Sequence, residues 1–215
     1  MRNITSLLLI MIIAVSCAKH EDGIDWTLQT GNIYCASGRI VPRDAYVDDM
    51  GGIGVFAVVG GEDDDFRIIA VGRYDAGDHI WADSLVSVRN VSSDRVASNG
   101  SQNTAAMISE ALEGKITMEA AEACLAYSDG RVSGWHLPSC GELMHASVAI
   151  SEINKSLRII QGEQLRVDGW YLSSTQDGSS SENEQVYALT VSMHGNVRST
   201  VKTTSGTCRP FIQVK

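Results

Sequence analysis

The sequence predicts an α+β fold, in which helices and an antiparallel sheet occupy separate stretches of the chain. Segments rich in Ala, Glu, Leu and Met lie between residues 103 and 158. From residue 169 onward, apolar residues alternate with a period of two, which is typical of strands. The three prolines among 215 residues mark no internal linker. Residues 30–215 are therefore predicted to form a single domain.

The N-terminus is typical of an exported lipoprotein. Arg2 precedes the apolar run Leu7–Val15, which is too short to span a bilayer and fits a signal peptide over residues 1–17. The following "AVSC" resembles a lipobox, in which Cys17 would be lipidated, and residues 18–29 would form a tether. "AKHED" resembles the signal that sends Bacteroidetes-type lipoproteins to the outer face of the outer membrane. An anchor facing the periplasm, or an ordinary cleaved signal, is the alternative.

The charge balance restricts the partners. A net charge of −9 without clustered Lys and Arg argues against nucleic acid and anionic polymers. The predicted partners are the membrane, through the lipid anchor, and an extracellular polymer or protein.

Two apolar runs predict the first hairpin. Ile53–Val59 and Phe66–Gly72 are rich in β-branched residues and flank the turn "GGEDDD". The acidic turn lacks the ligand spacing of a calcium loop, so we predict a solvated turn and no metal.

Helices are predicted at Asn103–Gly114 and Ile116–Gly130, the second with Thr117 as its N-cap. Cys124 shares an apolar stripe of the second helix with Ala120 and Tyr127, so its side chain is predicted to point toward the core.

The stretch "GWHLPSCGEL" combines features of a helix start and of a catalytic site. Ser139 and Glu142 have the Ser-x-x-Glu spacing of a capping box, and helical spacing continues to Leu157. Glu142 as an acid with His136 as a base is the alternative, but it would require a cleft and further partners. We predict the capping role and no catalytic residue.

The C-terminal part predicts a meander of strands with turns at His194–Asn196 and at Ser205 and Gly206. The strands are expected at Gly169–Thr175, Gln185–Met193, Asn196–Thr204 and Cys208–Lys215, with "GSSSE" at 178–182 as a loop.

Four cysteines remain after the lipidation candidate, and in an exported protein they are compatible with two disulfides in three connectivities. Free buried thiols are the alternative. The spacing does not fit a zinc site. The residues are Cys35, Cys124, Cys140 and Cys208.

Five blocks in order resemble the Lcl C-terminal-domain family of bacterial surface proteins. They are "GWHLPSCGEL", "GWYLSSTQ", "VYALTVSMHGN", "CRPFIQV" and, upstream, "GNIYCASGRIVP" with the hairpin and helical segments. The resemblance covers about residues 30–215.

This resemblance implies a C-type lectin-like domain with two or three helices packed on a twisted antiparallel sheet. It also implies a bridge from Cys124 to Cys208, leaving Cys35 and Cys140 as a second candidate pair. Leu172 stands where the family has an aromatic residue, which would weaken a stacking surface. That candidate ligand surface comprises Trp135, Trp170 and Tyr171, for which a place in the core is the favoured interpretation.

Three functions follow as hypotheses. The first is a surface-exposed, non-enzymatic binding or adhesion module without a cofactor. The second is a structural or accessory subunit of a surface fibre or envelope complex, joined through edge strands. The third, a formylglycine-generating-type enzyme, is disfavoured because Cys208 lacks a nearby second cysteine. "DSL" also resembles a short O-glycosylation motif, with Ser84 as the acceptor.

Overall fold

The computed structural model describes residues 24–60, 67–114 and 116–214. The predicted signal peptide, Cys17, most of the tether and the acidic turn at 62–65 lie outside the described residues. Within them, helices pack on two sheets whose strand pairs are mostly antiparallel, which confirms the α+β class. No helix in this part of the chain has the length and apolar character needed to cross a membrane.

The first sheet has six strands in the order β2-β1-β3-β4-β11-β6. β3 and β4 pair antiparallel, which confirms the predicted hairpin. Gly72 at the end of β4 is required by close packing, because a Cβ there would lie 2.9 Å from the Pro210 carbonyl oxygen and 3.1 Å from Trp135. The strands are β1 Ile33–Cys35, β2 Ile40–Val41, β3 Gly52–Gly60, β4 Arg67–Gly72, β6 Trp135–His136 and β11 Phe211–Val214.

The second sheet has five strands in the order β5-β10-β7-β8-β9. β7, β8 and β9 form the predicted meander, while β10 joins β7 through one parallel pair, Thr207 with Tyr171. The strands are β5 Gly77–Ile80, β7 Trp170–Gln176, β8 Tyr187–Ser192, β9 Val197–Val201 and β10 Ser205–Cys208.

The predicted last strand is divided between the two sheets at Arg209 and Pro210. Pro210 has no N–H to donate to a ladder. Arg209 is fully buried, with Nε 2.6 Å from Asp75 Oδ1 and Nη1 donating to the Gly72 carbonyl at 2.9 Å. Burial raises the pKa of Asp75, and the Arg209 charge opposes that shift. The ion pair thus fixes the crossing point, so β10 and β11 pair with different neighbours.

Two features of the helices differ from the predicted bounds. α2 begins later than predicted, with Met118 rather than Thr117 at its N-cap, because the Thr117 carbonyl accepts from the Asp83 N–H at 3.1 Å. The predicted long helix is broken at Ala149, whose φ of −98° and ψ of 8° separate α3 from α4. The helices are α1 Gly100–Gly114, α2 Glu119–Ala126, α3 Cys140–Val148, α4 Ile150–Ile159 and α5 Ser181–Val186.

Two predictions near the second sheet are wrong. The end of the predicted loop (181–182) and the start of the predicted strand (185–186) belong to α5, whose N-cap Ser180 accepts from the Asn183 N–H at 3.1 Å. Ser205 and Gly206 belong to β10, and the turn before it is closed by the Thr204 N–H donating to the Val201 carbonyl at 2.8 Å. Side-chain capping and strand pairing override the local turn signals there.

Candidate functional site

The Ser139 and Glu142 side chains form the predicted capping box at the start of α3, which is confirmed. The Ser139 Oγ accepts from the Glu142 N–H at 3.3 Å, and the Glu142 Oε2 accepts from the Ser139 N–H at 3.0 Å. The same carboxylate accepts from the Gly100 N–H at 3.0 Å through Oε1. Glu142 therefore binds the first residue of α1 as well as the N-terminus of α3.

This cluster is closed to a substrate. His136 lies 3.2 Å from Glu142 Oε2, but the two residues are only 3% and 1% exposed. Ser139 Oγ donates to the Ala97 carbonyl at 2.7 Å. The carboxylate and hydroxyl are thus committed to protein partners, while His136 Nδ1 is buried without a partner in the described part of the chain. The geometry supports the structural role over acid–base chemistry.

Two of the three candidate ligand-surface aromatics lie in the core. Trp135 is fully buried, donates to the Val132 carbonyl at 3.0 Å and meets the edge of Tyr127 at 4.9 Å. Tyr171 is fully buried, and its hydroxyl accepts from the Arg166 N–H at 2.9 Å. The favoured interpretation, a place in the core, is therefore confirmed for this pair, and neither residue contributes to the candidate ligand surface.

Trp170, in β7, is the half-exposed member of the three. The Arg198 guanidinium lies 3.9 Å from its ring centroid, which is a cation–π geometry. Arg198 Nε also donates to Thr190 Oγ1 at 3.3 Å, and that oxygen lies 3.0 Å from Thr200 Oγ1. This arrangement groups one aromatic ring, one cation and two hydroxyls on neighbouring strands.

A buried lysine forms a polar node that sequence analysis missed. Lys202 is fully buried, and its Nζ donates to the carbonyls of Val86 at 2.6 Å and Glu184 at 2.7 Å and to Gln176 Oε1 at 2.8 Å. It also lies 4.3 Å from the ring centroid of Trp81. Burial lowers the pKa of Lys202 to about 7, and the Glu184 carboxylate opposes this shift. The node joins the end of β7, α5 and the loop that follows Trp81.

Gln176 extends this node into the loop at residues 86–91. Its Oε1 accepts from the Val88 N–H at 2.8 Å, and its Nε2 donates to the carbonyls of Val88 at 3.0 Å and Val91 at 3.3 Å. The residues lie far apart in sequence, so no local pattern could have identified the node.

The four described cysteines are free and buried. Neither predicted disulfide is formed, and burial raises the pKa of Cys35 and raises that of Cys140 to about 11. Burial and the hydrogen-bonded thiol of Cys208 raise the pKa of Cys124 well above its ordinary value. Cys124 and Cys208 are therefore neighbours, as the resemblance implied, and are held as thiols.

We expect the Cys124 and Cys208 thiols to form a disulfide when the protein is oxidised, because the two buried thiols are close enough to interact with each other in the reduced protein. Alkylation of the unfolded protein before and after reduction, followed by mass spectrometry, measures this bridge. Cys35 and Cys140 serve as internal controls and should be alkylated without reduction. Alkylation of Cys124 and Cys208 without reduction, after exposure to an oxidant, would contradict the expectation.

The remaining candidate is Ser84, which is half-buried in a surface loop, with its hydroxyl donating to Asp83 Oδ1 at 2.9 Å. Its glycosylation stays a prediction. Among the described residues, no group of three or more His, Cys, Asp or Glu side chains could hold a metal ion.

β9 is one of the two edge strands of the second sheet, and β5 is the other. β9 pairs with β8 over its whole length, Val197 to Val201, with no register shift. Its other side has no partner strand among the described residues. This edge is the longest exposed strand edge of the two sheets, since β2 and β6 have two residues each and β5 has four.

No protein-family model matches the chain, and no curated protein matches it. Among solved structures, the crystal structure of a fimbrial protein from Bacteroides ovatus ATCC 8483 matches with a TM-score of 0.66 and 16% sequence identity. The match covers 86% of this chain and 48% of the fimbrial protein, so this chain spans about half the length of that protein. At this identity the likeness shows a shared α+β fold.

Proposed function

We propose that this protein is a non-enzymatic structural or accessory subunit of a surface fibre or envelope complex. The open edge of β9 is the observation that carries the proposal, because an unpaired strand edge is a template for another chain. The fold shared with part of a fimbrial protein supports the same assignment. Lipidation of Cys17 would hold the subunit to the outer membrane, facing outward or, as the alternative, toward the periplasm.

The buried state of the polar clusters supports a role without catalysis. The His136 and Glu142 pair is closed to solvent, and Lys202 is fully buried with three oxygen partners. A catalytic acid, base or nucleophile must reach its substrate within hydrogen-bond distance.

A binding or adhesion module with a lectin-like fold is the second candidate, and the stack of Trp170 with Arg198 favours it. An aromatic ring beside hydroxyls and a guanidinium is suited to a neutral polymer. Because Arg198 already covers one face of the ring, a ligand would have to displace it or use the free edge. The resemblance to the Lcl C-terminal-domain family belongs to this second proposal.

Chemical cross-linking on whole cells tests the two candidates together. We expect the full chain to be accessible to added protease and to be recovered in cross-linked species larger than the monomer. A monomer that is protected from protease would contradict the subunit proposal. Glycan-array binding that is lost in Trp170→Ala, without surface assembly, would instead support the binding module.

A further inference from the structure

The backbone N–H and C=O groups of successive β9 residues point alternately toward β8 and away from the sheet. The Ser192 N–H donates to the Asn196 carbonyl at 2.9 Å, and the Lys202 N–H donates to the Val186 carbonyl at 3.0 Å. With the unbroken register of β8 and β9, the even-numbered residues therefore face β8. The odd-numbered residues Val197, Ser199 and Val201 direct their N–H and C=O groups away from the sheet.

Most of these outward groups have no protein partner in the part of the chain that the structure describes. The Val201 carbonyl accepts from the Thr204 N–H at 2.8 Å. The remaining outward groups are the N–H and C=O of Val197 and Ser199 and the N–H of Val201, and they form no backbone hydrogen bond among the described residues. They are arranged as an antiparallel partner strand requires.

The edge lacks the features by which proteins block strand addition. β9 contains no proline and no bulge, and its sequence VRSTV is rich in β-branched residues. Its one charged side chain, Arg198, is folded over the Trp170 ring instead of projecting past the edge. Arg198 and Ser199 are exposed and the other three residues are half-buried.

The sequence of β9 is complementary to itself in an antiparallel arrangement centred on Ser199. In a two-fold pair, Ser199 would lie opposite Ser199 of the second copy, and Val197 would lie opposite Val201. Arg198 would face Thr200, so no like charges lie directly opposite each other. Valine pairs at both ends would bring β-branched side chains together across the strands.

We propose that β9 pairs with β9 of a second copy of this chain and joins their five-stranded sheets into one continuous sheet. This inference rests on the proposed function and names the partner of its edge strand. An isologous contact closes on itself, so β9 would build pairs, and any longer fibre would need a second surface. The pairing would also bring the Trp170 and Arg198 stacks of two copies onto one face.

Cysteine cross-linking of the full-length protein in detergent tests the register. In the proposed pair, the Cα atoms of residue 199 in the two copies would be about 5.5 Å apart, which is within disulfide range. We expect Ser199→Cys to shift from monomer to disulfide-linked dimer on a non-reducing gel under mild oxidation. The unsubstituted chain, which keeps its own cysteines, sets the background.

Two further variants fix the alignment. Arg198→Cys alone and Thr200→Cys alone should not form a cross-linked dimer. In each case the same residue of the two copies would be a diagonal neighbour across the strands, roughly 7–8 Å apart. Mixed together they should cross-link, because residues 198 and 200 would face each other at about 4.5 Å. Cross-linking of Arg198→Cys with itself at the level of Ser199→Cys would overturn the proposed register.

Ser199→Pro tests the backbone bonds, since it removes an outward N–H and leaves the β8 ladder intact. We expect loss of the dimer in sedimentation, with the dimer kept in Ser199→Ala. Monomeric sedimentation of the unsubstituted chain together with no Ser199→Cys dimer would overturn the inference even if Ser199→Pro misfolds. If that monomer is still found in cross-linked surface complexes, the inference fails while the proposed function stands.

Discussion

Below pH 7, where Lys202 is charged, Lys202→Met is expected to lower the free energy of unfolding by about 4 kcal/mol, because three buried oxygen acceptors lose a charged donor. The methionine side chain has similar length but no N–H, so the carbonyls of Val86 and Glu184 would stay buried without this partner. The contact with the Trp81 ring would also lose its cation. Urea unfolding followed by circular dichroism measures the loss.

Lys155→Met is the matched control. Lys155 is half-exposed and forms a surface ion pair with Glu152 at 2.6 Å, so the same substitution there should cost no more than about 0.5 kcal/mol. Equal losses in the two variants would contradict the assignment of Lys202 as a buried node.

The Lys202 node also predicts a pH dependence. Its pKa is about 7 in the folded protein, against an ordinary value of 10.5. Between these values the unfolded chain binds more protons than the native state, so the free energy of unfolding should rise with pH by up to about 1.4 kcal/mol per pH unit from this group. The slope should disappear in Lys202→Met. The same slope in both proteins would show that Lys202 does not titrate in this range.

What the sequence predicts well is local. The capping box depends on two residues three positions apart, and the β3 and β4 hairpin depends on two apolar runs around a short turn. Both can therefore be predicted from the sequence without tertiary information. α5 is the counterexample, because Ser180 and the residues after it have the composition of a loop as well as that of a capped helix.

What the sequence does not predict depends on residues far apart in the chain. Arg209 fixes the crossing between sheets through Asp75, which precedes it by more than a hundred residues. Lys202 Nζ donates to the Val86 carbonyl, which is also more than a hundred residues away in the sequence. The burial of Trp135 and the exposure of Trp170 depend on which sheet face the helices cover, which strand periodicity alone does not determine.

Glu142→Ala is expected to lower the free energy of unfolding by about 3 kcal/mol, because one carboxylate stabilises the starts of two helices. Its removal would leave the buried N–H groups of Gly100 and Ser139 without an acceptor. Hydrogen exchange should therefore accelerate at both amides, although they belong to different helices. A cap confined to α3 would predict faster exchange at Ser139 alone.

Ser180→Ala provides the control for an ordinary cap. It removes the cap of the short, exposed α5 and should cost about 1 kcal/mol or less, with no effect at Gly100. The free energy of unfolding of Glu142→Gln should lie between those of the unsubstituted protein and Glu142→Ala, since its amide oxygen can replace only one of the two carboxylate oxygens. If Glu142→Ala kept its stability but lost an enzymatic activity, the structural interpretation would be wrong. The shared acceptor explains why this glutamate is buried: its two oxygens satisfy N–H groups at the starts of both α1 and α3, which no other side chain is seen to do in the described part of the chain.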